Sequence, residues 1–75
     1  MKDNVNHPAH YTSGNIECID AIESAVIELT GIEAMCTGNA IKYLWRWKRK
    51  NGVEDLHKAK WYIDKLISLQ EINEK

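Results

Sequence analysis

Apolar residues recur along this chain at intervals of three and four and nowhere alternate over the length of a strand, so the pattern predicts helices. Ile16, Ile19, Ile22, Val26 and Leu29 outline a first helix. Asn15 can cap it, and Glu17 stands in the first turn, where the helix dipole favours an acid. Gly31 is placed to stop it. Thr30 and Glu33 then fit a capping box for a second segment, and Thr37-Gly38-Asn39 predicts a break or kink before a strongly helical stretch over residues 40–50. Asn51-Gly52 ends that stretch. Asn51 with Glu54 can cap a third helix over roughly residues 53–72, with Leu56, Ala59, Ile63, Leu66 and Ile67 as its apolar stripe. So short a link makes the last two helices an antiparallel hairpin. The expectation is an all-α fold of two to four helices.

Residues 1–14 are polar and aperiodic and read as an N-terminal arm, which leaves 15–75 as a single helical domain. A chain of 75 residues supports one domain with a thin stability margin. Trp45, Trp47 and Trp61 are hard to bury together in so small a protomer, which leads us to expect a homo-oligomer that hides some of them between subunits. Cys18 and Cys36 lie among apolar neighbours and read as structural thiols, being too few for a disulfide scaffold. No apolar run exceeds three residues, so neither a membrane span nor a signal-peptide core is expected, and the location expected is the cytoplasm.

The net charge of −1 conceals an asymmetry. Residues 1–37 carry one Lys against six acids, and residues 38–75 carry nine Lys or Arg against five. Lys42, Arg46, Lys48, Arg49 and Lys50 fall within nine residues with no acid between them, a patch suited to an anion. A sequence pI near 6.3 argues against a dedicated binder of duplex DNA.

Asn39, Lys42, Arg46 and Arg49 or Lys50 follow helical spacing and share one side of a helix, with Tyr43 and Trp47 beside them. Arg offers a planar fork for phosphate oxygens and Lys a point charge, while Asn can read a base or sugar. An antiparallel hairpin would return Lys58 and Tyr62 alongside Arg46 and Lys42, making a cationic cleft with an aromatic wall. The plainer alternative is a solvated basic face answering the acidic first helix, with surface pairs such as Glu54–Lys58.

His7-Pro8-Ala9-His10-Tyr11 is dense in hydrogen-bonding rings, but no further ligand stands at zinc-like spacing, and no metal site is assigned. Glu17, Asp20 and Ser24 share a face that could hold Mg²⁺ through water beside a triphosphate, or simply pair with basic residues. There is no phosphate-binding glycine loop and no nucleophile with a positioned base.

Four strings in order, Val5-Asn6-His7-Pro8-Ala9-His10-Tyr11, Ile16-Glu17-Cys18-Ile19-Asp20, Gly38-Asn39-Ala40-Ile41-Lys42-Tyr43-Leu44-Trp45-Arg46, and Glu54-Asp55-Leu56 continued by Lys58-Ala59 and Trp61-Tyr62-Ile63-Asp64, resemble a small phage-encoded family. That family is classed as a domain of unknown function, and its members are often named nucleotide kinase. His57 stands where the family pattern leads us to expect Lys. The resemblance implies a phage or prophage origin, an intracellular protein active in the host cytoplasm, and handling of nucleotides. Carried over by position, its polar residues are His7, His10, Tyr11, Asn39, Lys42, Tyr43, Arg46 and Lys58.

The expectation is a nucleotide-binding protein that holds phosphates in a cationic cleft and can sequester a host immune nucleotide signal. In that reading Arg46 and Lys42 bind phosphates, Tyr43 or Tyr11 stacks on the base, and His7 and His10 close the site. One alternative is a deoxynucleoside monophosphate kinase without a phosphate loop, in which Mg²⁺ would join the cations in neutralising the phosphoryl group. Another is a protein or nucleic-acid interaction module, whose mark would be steep weakening with salt.

Overall fold

The computed structural model describes residues 14–74, with the backbone alone at Glu74; the N-terminal arm up to residue 13 lies outside the described residues. Helix α1 spans Cys18–Ala25 and α2 spans Gly31–Arg46. A single 3₁₀ turn, Trp47–Arg49, leads into the Asn51-Gly52 link, and α3 spans Val53–Glu74. The described residues contain no strand, so the all-α expectation holds.

Helix α1 is shorter than its periodicity suggests. Glu17, in extended conformation, is its cap residue, and the Glu17 carbonyl accepts from the N–H groups of Asp20 and Ala21. At the other end Val26 leaves the helical region and its carbonyl accepts from the Leu29 N–H, closing a turn. Two successive β-branched residues, Val26 and Ile27, favour that exit. Asn15 therefore does not cap the helix. Nor does Gly31 stop it: with φ at +57° it is the first residue of α2.

Helix α2 runs unbroken through Thr37-Gly38-Asn39, where a kink was expected. Packing explains the difference. A methyl group on Gly38 would stand 3.2 Å from Ile22 Cγ2, so α1 and α2 approach closely where glycine removes the side chain. That contact offsets the roughly 1 kcal/mol of helix propensity that glycine lacks. The expected capping box is absent: Thr30 is the cap residue but makes no side-chain cap bond, and Glu33 instead accepts from Gln70 at the far end of α3.

Helix α2 is the central element, packed along α3 on one side and against α1 on another. Glu33 meets Gln70, Tyr43 meets Tyr62 and Arg46 meets Asp55, so sequence number falls on α3 as it rises on α2, and the hairpin is antiparallel. The Gly52 N–H donates to the Trp47 carbonyl at 2.7 Å, and Gly52 takes φ of +61°, a conformation glycine adopts without steric penalty. Among the described residues the buried apolar side chains are Cys18, Cys36, Ala40 and Ala59, all small, which lets the helix axes come close.

Candidate functional site

Tyr43, near the C-terminal end of α2, is the centre of the candidate site. Lys42 Nζ lies 4.7 Å from its ring centroid, Arg46 Cζ 4.9 Å and Lys58 Nζ 5.5 Å. The Tyr62 ring is stacked on it, with centroids 6.0 Å apart and planes 12° from parallel. Trp61 meets Tyr62 edge to face at 5.0 Å and 81°. Each cation over a ring contributes about 0.5–1 kcal/mol at an exposed site, so the tyrosine both gathers the charges and fixes where they sit. Tyr43, Lys58, Trp61 and Tyr62 line a surface pocket of about 280 Å³, and Trp61 remains 60% exposed beside it.

Behind this aromatic wall is a buried ion pair. Arg46 Nε donates to Asp55 Oδ2 at 3.2 Å and Arg46 Nη2 to Oδ1 at 3.4 Å, while Asn51 Nδ2 donates to Oδ1 at 3.1 Å. Arg46 is buried and Asp55 is fully buried. Burial works against ionising the Asp55 carboxyl. The Asn51 amide, then the hydrogen bond and charge of Arg46, outweigh it and hold the group below the ordinary carboxylate range. Asn51 thus serves Asp55 and not the capping arrangement with Glu54 that its spacing suggested. Glu54 pairs with Lys58 at 3.2 Å on the surface.

Lys42, Tyr43, Arg46 and Lys58 are therefore brought together, as helical spacing and the hairpin required. Arg46, expected to grip phosphate, has two of its donors turned inward to Asp55. Asn39 is half-buried on α2, three residues before Lys42. His7, His10 and Tyr11 lie outside the described residues. Trp61 and Asn51 were missed as site components. The adjacency of Trp61 to Tyr62 was a signal for the first, whereas the second shows only once the turn is built.

Burial pushes the Cys18 thiol up, with the charge of Lys42 pulling the other way. Cys18 and Cys36 are both free and buried, consistent with structural thiols. Among the described residues no three His, Cys, Asp or Glu side chains gather as metal ligands, so Glu17 and Asp20 have no such cluster around them. No described helix is long and apolar enough to cross a membrane.

Neither the curated proteins nor the solved structures yield a match to the chain. A family model described as a protein of unknown function, DUF3310, matches residues 5–64, a span that includes Tyr43 with its three cations, the Arg46–Asp55 pair and Trp61, and the chain belongs to that family.

Proposed function

We propose that the chain binds a nucleotide, with the base against Trp61 and Tyr62 and the phosphates on Lys42 and Lys58. The observation that carries this reading is the convergence of Lys58 and three aromatic rings on one pocket, with the Lys42 ammonium group against the Tyr43 ring that forms part of its wall. Aromatic faces accept any base by stacking, worth about 1–3 kcal/mol each, while ammonium groups answer phosphate charge. Arg46 is a positioning residue in this reading. Its pairing with Asp55 sets the end of α2, and with it the Tyr43 ring, without contacting ligand.

The pocket supplies charge and stacking, which suffice for holding a nucleotide unchanged. We therefore place the protein as a phage-encoded sequestering module in the host cytoplasm, its target a host immune nucleotide. Native mass spectrometry with linear mono- to triphosphates and cyclic nucleotides tests this. The expected outcome is one retained, unaltered ligand class, bound about tenfold or more weakly by Lys58→Ala and by Trp61→Ala. A ligand released in another phosphorylation state would favour the kinase. The binding reading fails if no nucleotide is retained, or if both variants bind as the wild type does.

A further inference from the structure

The hairpin has a second flank that the nucleotide reading does not use. Successive α-helical residues advance by 100°, so Ala59, buried against α2, divides α3 into two sides. Lys58 and Tyr62 fall on the cleft side, and Leu56, Ile63 and Ile67 on the other. On α2 the same division puts Tyr43 and Arg46 toward the cleft and Leu44 on the far flank. There Leu44 is 48% exposed, Ile63 38% and Ile67 50%, and none of them lines the candidate ligand pocket.

We propose that this far flank docks a second copy of the chain, giving a two-fold dimer in which two α2–α3 hairpins form a four-helix bundle. Three observations favour a second copy over another occupant. An antiparallel hairpin that exposes apolar side chains from both helices on one flank, Leu44 on α2 and Ile63 and Ile67 on α3, is half of such a bundle. The strip is also bordered by opposite charges: Lys60, which pairs with Asp64 on its own helix at 2.7 Å, lies one turn before Ile63, and Glu71 lies one turn after Ile67. A two-fold axis midway between the two isoleucines sets Ile63 of one copy opposite Ile67 of the other and Lys60 level with Gln70, one residue from Glu71, so that the same patch meets itself as an isologous interface requires. Finally, the protomer buries no apolar side chain larger than a cysteine among its described residues, a deficit that small domains make good by association. The cleft faces away from this flank, so the dimer leaves it open, and dimerisation stands or falls independently of nucleotide binding.

Sedimentation velocity of the full chain at micromolar concentration is the test. The wild type should run at twice the chain mass. Ile63→Glu/Ile67→Glu should run at the chain mass with its helical circular dichroism retained, while Ile72→Glu, on the cleft side, should leave the assembly intact. Should the double variant unfold, Ile67→Ser decides, and it should weaken association at least about tenfold. A monomeric wild type overturns the proposal. So does a folded double variant that keeps the assembled mass, dissociation by Ile72→Glu alone, or Ile67→Ser associating as the wild type does.

Discussion

Asp55 shows how one residue can govern a neighbourhood. Its carboxylate is wholly enclosed and receives bonds from Arg46 and Asn51, so removing either charge breaks a buried ion pair from one side. Breaking such a pair from one side is far more damaging than replacing both members by apolar groups of similar volume. Arg46→Met and Asp55→Leu should each lower the melting temperature by about 10 °C or more, and the double variant should recover most of that loss. The same residue sets a pH dependence. Its native carboxyl titrates below the ordinary range, so its contribution is complete above about pH 4 and is lost as pH falls through the lowered native value. Acid unfolding followed by circular dichroism should therefore be steeper in the wild type than in Asp55→Asn.

At the scale of elements, the close approach of α1 and α2 at Gly38 makes a sharper demand than any helix propensity. Gly38→Val would drive a branched side chain into Ile22, at a cost of about 1–3 kcal/mol in chemical denaturation, and adding Ile22→Ala should return part of it. This contact also marks the limit of what the sequence could tell. Periodicity was sufficient for α3, for the Asn51-Gly52 turn and for the hairpin, because those depend on local spacing and a short link. It misjudged Gly38 as a break and Gly31 as a stop, because glycine's local permissiveness says nothing about which neighbour exploits it. Likewise, spacing placed Lys42, Tyr43, Arg46 and Lys58 in one cleft. That Arg46 would turn inward depended on Asp55 and Asn51 closing over it, an arrangement set by the turn's three-dimensional course.

At the scale of the whole molecule, the described residues form a row of helices with α2 in the middle, and much of their apolar surface lies outside the small core. If folding and association are linked through the far flank, stability depends on protomer concentration. The melting temperature should then rise as the protein is concentrated, and scanning calorimetry over a hundredfold dilution series checks this. An unchanged transition would point to a self-sufficient monomer. The nucleotide pocket makes a separate demand, since its ligand should raise the melting temperature at any fixed protein concentration.

The Arg46–Asp55–Asn51 knot fastens the last turn of α2 to the first turn of α3, and Tyr43, Lys58 and Tyr62 stand within two turns of it. The pocket is thus built directly onto that joint. In amide hydrogen exchange its walls should open together with that joint, as one cooperative unit, and not by local fraying. An evolutionary change at the turn would accordingly register as a change in ligand affinity, even where no altered residue touches the ligand.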